Sequence, residues 1–204
     1  MNIRRRLVRC RTARRPGRST RRTGTFSHSI TLMTRISSTV HAAMAMALSD
    51  LPFGEQLFLW GIRMWVRSYN EGANIHNILH NGFKLAGVPT ALGALDAMMG
   101  IFATSGHGSI DIRCPQCTEV SLDEHRIMAA IAVLQHTDQP SDDDAYLSCW
   151  LPPAALRMLR TPISQLADIM KNGGLIIRAR PWARNLQSDH EMVASHSSEN
   201  RILH

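Results

Sequence analysis

The chain has 204 residues, of which 44% are hydrophobic and 19% charged, so it can fold around an apolar core. Its net charge of +7 comes from one end, because eleven arginines and no acidic residue precede residue 50. The remaining residues carry 12 Lys and Arg against 16 Asp and Glu. That acidic balance argues against nucleic-acid binding by the folded part.

The first 49 residues are predicted to be a disordered, arginine-rich extension. Three interpretations of this segment stay open. The first is an arm that binds nucleic acid through the charge of the phosphates. The second is an organelle transit peptide. The third is that the start site has been assigned too early and that Met33, Met44 or Met46 is the true initiator. A secretory signal is not favoured, because the apolar stretch before Ser49 is short and interrupted.

A helix with apolar residues on nearly all sides is predicted over residues 53–70, and Pro52 is well placed at its start. Its narrow polar stripe includes Arg63 and Arg67, which are expected either to pair with a carboxylate or to bind an acidic partner or anion. The carboxylates considered as their partners are those of Glu55, Glu71 and Asp96.

Further helices follow the same apolar periodicity and are separated by glycine and proline. The clearest start is at Ser121, because Glu124 three residues later fits a capping box, in which each side chain satisfies a free backbone N–H. The other predicted helices lie at 75–85 and 89–103, with two more that start at 140–141 and at 161–162.

The sequence therefore predicts one mostly α-helical domain over residues 50–180, a compact bundle of five to six helices. The alternating residues 110–112 suggest one short two-stranded β pair with residues 175–177. A flexible C-terminal tail is predicted over 181–204. No membrane span is predicted, because no stretch of about 20 uninterrupted apolar residues occurs. The low cysteine content favours a reducing cytoplasm.

The motif best suited to carry chemistry is the Cys-Pro-Gln-Cys sequence at 114–117. The thiolates of Cys114 and Cys117 can reach one tetrahedral Zn²⁺ from a turn, because this spacing lets both sulfurs converge. The other ligands of a structural zinc would come from His107, His125 or Cys149, with His136 as a further option. Two other interpretations stay open: packing of the loop by small buried cysteines, and a thiol redox role.

Cys-Pro-x-Cys after a predicted strand resembles the glutaredoxin motif over four residues, but the strand–helix alternation of that fold is missing. The stretch from Leu-Pro-Phe-Gly-Glu-Gln at 51–56 to Arg-Cys-Pro-Gln-Cys and Ser-Leu-Asp-Glu within 113–124 resembles small bacterial helical proteins without an assigned function. Those proteins carry a similar cysteine loop before a capped helix. The resemblance covers residues 50–178 and implies a bacterial cytoplasmic protein, and it brings no activity with it.

No catalytic or cofactor-binding constellation is recognisable in the sequence, which lacks a glycine-rich phosphate loop, a nucleophile elbow and paired carboxylates. The sequence therefore favours a non-enzymatic helical interaction or regulatory module with a protein partner. One alternative is a structural-zinc or thiol-based module built on the Cys114–Cys117 loop. The other is nucleic-acid contact through the arginine-rich tail.

Overall fold

The computed structural model describes residues 46–72, 74–137 and 144–180. In these ranges the chain forms six α-helices around one apolar core, with no β structure beyond isolated bridges, so the mostly helical prediction is confirmed. The predictions for residues 1–45, 181–204 and the helix start at 140–141 lie outside the described residues. The helices are α1 (Phe53–Glu71), α2 (His76–Leu85), α3 (Ala91–Ser105), α4 (Leu122–His136), α5 (Asp144–Leu147) and α6 (Pro153–Asn172), preceded by a 3-10 turn at Leu48–Asp50.

Helix α1 begins directly after Pro52 and ends at Gly72, which has a φ of 66°. That left-handed conformation favours glycine, because a side chain at this φ would clash with the backbone. Phe58, Leu59 and Ile62 of α1 are buried in the core. The helix packs against α2 and α3, so one of its faces is left for the loop that follows α3.

Helix α6 begins at Pro153, eight residues before the predicted start at 161–162. Pro162 lies inside the helix although proline has no backbone N–H to donate to the preceding turn. The helix continues through it because Leu159 and Ile163 belong to one buried stripe that extends on both sides of the proline. Helix α6, which carries this stripe, packs against α3 and α4. Tertiary packing therefore outweighs the tendency of Pro162 to end the helix.

Residues 175–177 do not form the predicted β pair with residues 110–112. They run along α4 instead, where the Gln135 side chain donates to the Leu175 carbonyl at 3.1 Å and accepts from the Ile177 N–H at 2.7 Å. Nε2 of His136 lies 3.1 Å from the Ile177 carbonyl oxygen. Because side chains of α4 satisfy this backbone, a second strand is not required.

Candidate functional site

The loop between α3 and α4, residues 106–121, contains a disulfide between Cys114 and Cys117. The Cα atoms of the two cysteines are 5.3 Å apart, and the Cys117 N–H donates to the Cys114 carbonyl at 3.0 Å, which closes a tight turn. Both residues are partly buried. The two cysteines predicted to bind one Zn²⁺ are therefore adjacent, and their sulfur atoms are bonded to each other.

The disulfide turn is fixed to the core by the guanidinium of Arg63 on α1. Its Nη1 donates to the Cys117 carbonyl at 2.7 Å and its Nη2 to the Glu119 carbonyl at 2.8 Å. The same group forms two bonds to the Glu124 carboxylate, from Nε at 2.7 Å and from Nη2 at 2.9 Å. The side chains of Arg63 and Glu124 are both 0% exposed, so a fully buried ion pair anchors the loop to the core.

Glu124 connects the start of α4 to this arrangement. Its carboxylate accepts from the Ser121 N–H at 2.9 Å, and the Ser121 hydroxyl accepts from the Glu124 N–H at 3.1 Å, which is the predicted capping box. The carboxylate also accepts from the Arg113 N–H at 3.0 Å, directly before the first cysteine. The Glu124 carboxylate therefore caps the start of α4, accepts a hydrogen bond from the loop backbone and neutralises the charge of Arg63.

The outer side of the cysteine loop contacts the beginning of the described chain. The Leu48 N–H donates to the Thr118 carbonyl at 2.7 Å, and Ala47 forms an antiparallel bridge with Glu119. These contacts lie one and two residues after Cys117. A change in the cysteine turn therefore reaches residues 47–48 through one or two residues of the loop and the backbone contacts of Thr118 and Glu119.

A cleft of about 370 Å³ lies between α1 and the disulfide turn. Cys114 lines it, whereas Cys117 does not. Arg67 in the cleft pairs with Glu71 at 3.0 Å on the exposed surface of α1. The Arg113 side chain approaches one carboxylate of the described residues, Asp111 at 3.5 Å, and its Nε has no hydrogen-bond partner among them. The remaining lining residues are Arg63, Val66, Asn70, Pro115 and Gln116.

The other predicted zinc ligands lie in separate surroundings. His107 is exposed, and its backbone N–H donates to the Trp150 carbonyl at 2.8 Å. His125 is buried in the first turn of α4, where burial, helped by the charge of Arg180, lowers its pKa to about 4. The low pKa means that this imidazole is neutral at pH 7.

Cys149 lies after α5 with its Sγ 3.5 Å from the Tyr146 carbonyl. Burial raises the pKa of this thiol to about 11, although the nearby Arg126 opposes the shift. Across the described ranges, no three His, Cys, Asp or Glu side chains are grouped so that they could hold a metal ion. Because the disulfide occupies both sulfurs of the motif, the zinc hypothesis applies to a reduced form of the loop.

A second surface feature is an apolar groove of about 440 Å³ beside α1 and α2. Phe53 and Leu85 at its edge are 62% and 90% exposed. Leu48, which bonds to the cysteine loop, also lines it. The groove is completed by Gln56, Leu57, Trp60, Gly82 and Ala86.

The residues that sequence reasoning missed are those that hold the loop. Arg63 was expected to pair with Glu55, Glu71 or Asp96, and it pairs with Glu124 instead. The capping box marked Glu124 as a helix-start residue, and no local pattern linked it to a residue 61 positions earlier. A lone arginine on a largely apolar helix was the one available signal, because such a charge needs a buried partner.

Comparisons with models of protein families, with curated proteins and with solved structures found no match to this chain. None of the six described helices has the apolar run that a membrane crossing requires, in line with the sequence prediction.

Proposed function

We propose that the protein is a non-enzymatic regulatory module whose Cys114–Cys117 loop changes between a disulfide and a dithiol. The observation that carries this proposal is the two-sided attachment of the turn. Buried Arg63 holds the carbonyls of Cys117 and Glu119 on one side, and Leu48 bonds to Thr118 on the other.

The two attachments differ in strength. The contact to Arg63 is a set of charge-assisted hydrogen bonds in the core, which are stronger than neutral ones. The contact to residues 47–48 is a single backbone bond and a bridge near the surface. Opening the disulfide would therefore loosen residues 47–48 before it loosens the core.

Leu48 passes this change to the apolar groove that it lines with Phe53 and Leu85. A protein partner that contacts the groove would then distinguish the two redox states. This is how the thiol-based alternative and the interaction hypothesis combine in one molecule.

A redox titration tests the proposal. Protein equilibrated in mixtures of reduced and oxidised dithiothreitol is alkylated and digested with trypsin, which cleaves after Arg113 and Arg126 and leaves both cysteines in one peptide, 114–126. We expect a single reversible two-electron transition between unalkylated and doubly alkylated peptide. Alkylation of both cysteines at every ratio would refute the disulfide and the proposal with it.

Cys149 is the internal control, because it lies in a separate tryptic peptide, 127–157, and is a free thiol in the structure. After unfolding it should be alkylated to the same extent at every redox ratio. A Cys117→Ser variant should abolish the transition in peptide 114–126 while the Cys149 peptide stays unchanged.

The structural-zinc alternative is distinguished in the same preparation. Reduced protein is dialysed against Zn²⁺ and its metal content is measured together with protection of peptide 114–126 from alkylation. Zinc bound at one equivalent, lost in Cys117→Ser, would favour that alternative over a redox switch. The redox proposal expects no stoichiometric zinc and full alkylation of the reduced loop.

A further inference from the structure

One of the two disulfide-bonded cysteines lines the cleft beside α1. Cys114 lines the cleft and Cys117 does not, while the Cys117 carbonyl is held beneath the turn by Arg63. A thiol that enters the cleft therefore meets Cys114 first. Attack there makes Cys117 the leaving group.

The charges of the cleft lining favour one kind of thiol. Three arginines, Arg63, Arg67 and Arg113, line it with a single acidic residue, Glu71. Buried Glu124 compensates Arg63, and Glu71 pairs with Arg67, so these two are neutralised locally.

Arg113 is less well compensated. Its side chain is 23% exposed, and its Nη2 lies 3.5 Å from Oδ2 of Asp111, whose side chain is 41% exposed. Its Nε is buried and makes no hydrogen bond within the described part of the chain, so a rotation of the guanidinium that brings this atom to the cleft breaks no bond at that atom. A carboxylate or sulfonate in the cleft would gain a charge-assisted hydrogen bond that the protein does not already supply.

Resting on the proposed redox function, we infer that the cleft receives a small anionic thiol and that this molecule exchanges with the disulfide at Cys114. Val66 and Pro115 provide the apolar walls for its carbon chain, and Arg113 provides the contact for its negative group. The volume of about 370 Å³ suits a ligand of small-molecule size.

The exchange proceeds in two balanced steps. The thiolate sulfur of the incoming molecule bonds to Cys114 Sγ, the Cys114–Cys117 bond breaks, and Cys117 leaves as a thiolate that takes a proton from water. A second small thiolate then attacks the sulfur of the bound molecule and releases Cys114 as a thiolate, which also takes a proton from water; the two small thiols gave up these two protons to water when they ionised. One protein disulfide and two small thiols thereby become one protein dithiol and one small disulfide.

The experiment measures how fast three thiols of equal chain length reduce the native disulfide: 2-mercaptoethanesulfonate, 2-mercaptoethanol and cysteamine. Each rate is divided by the rate of the same thiol with the urea-unfolded protein, which removes differences in intrinsic reactivity. At low salt we expect the normalised anionic rate to exceed the cationic rate by about tenfold. The ratio should fall toward one in high salt, because exposed charges are screened.

Arg113→Gln should remove most of this preference. Arg157→Gln, which alters an exposed arginine on α6 outside the cleft, is the matched control and should retain it. Fragmentation of the mixed disulfide trapped early by acid should place the small thiol on Cys114.

The outcomes separate the two proposals. Equal normalised rates that Arg113→Gln leaves unchanged, or an adduct on Cys117, would overturn the anionic-thiol site while the redox function stands. If none of the three thiols reduces a native disulfide that dithiothreitol does reduce, the anionic-thiol site is refuted while the redox function stands. A native disulfide that dithiothreitol reduces at no ratio refutes the redox function itself.

Discussion

Replacing Arg63 by methionine tests the attachment of the cysteine loop to the core. The change removes four hydrogen bonds and leaves the buried Glu124 carboxylate without its counter-charge. Breaking one side of a buried ion pair costs about 3–5 kcal/mol. Glu124 keeps two donors, the N–H groups of Ser121 and Arg113, so we expect a loss near the lower end, about 3 kcal/mol.

The measurement is the free energy of unfolding of oxidised protein in urea, followed by helical circular dichroism. Arg67→Met on the same helix is the matched control, because its pair with Glu71 is 43% and 53% exposed and should contribute less than about 1 kcal/mol. Glu124→Gln preserves the capping box, so it completes a double-mutant cycle with Arg63→Met. We expect a coupling of about 1–3 kcal/mol between the two sites. Equal losses for the two arginine variants, or additive effects in the cycle, would refute the reasoning.

Two further predictions concern buried His125 and two glycines that lie outside the core, Gly82 and Gly93. Since the pKa of His125 is lowered from 6.5 to about 4, the unfolded chain binds the proton more tightly, and stability is present above pH 6.5 and lost as pH falls toward 4. A difference of about 2.5 pKa units corresponds to about 3 kcal/mol of unfolding free energy. His125→Gln should remove that part of the pH dependence when unfolding by urea is measured across pH. A pH profile that the substitution leaves unchanged would contradict this prediction. A Cβ at Gly82 would lie 2.4 Å from a ring atom of Trp60, while the space at Gly93 is open. Thermal unfolding should therefore show a loss of about 1–3 kcal/mol for Gly82→Ala and a gain of about 0.5–1 kcal/mol for Gly93→Ala, and a gain in both would contradict the packing described.

Local signals in the sequence were sufficient to predict most of the helices and the best-defined helix start. The capping box at Ser121 and Glu124 is encoded within four residues, so it can be recognised without knowing the fold. The start of α6 was misplaced because proline has a strong local preference for the first helical turn, while the buried stripe through Leu159 and Ile163 is a tertiary effect.

The candidate site was less predictable, because its key contacts join distant parts of the chain. The spacing of Cys114 and Cys117 is compatible with a shared metal and with a disulfide, and sequence alone does not choose between them. The role of Arg63 depends on where α1 lies relative to a residue 61 positions later. Such a pairing has no periodicity or motif to mark it.

The central claim is that the redox state of the Cys114–Cys117 turn reaches residues 47–48. Amide hydrogen exchange of Leu48, compared between the oxidised and reduced protein, tests it most directly. Closing a loop this short stabilises the whole folded protein by about 2 kcal/mol on the chain-entropy estimate. Amides in the middle of α3 and α6 exchange through global unfolding, so reduction should accelerate them together by up to about thirtyfold. The Leu48 amide is held by one bond to the Thr118 carbonyl, so local opening of the reduced loop should accelerate its exchange by a larger factor than that of the core amides. Identical exchange at Leu48 in the two forms, or an increase there no larger than in α3 and α6, would contradict the account.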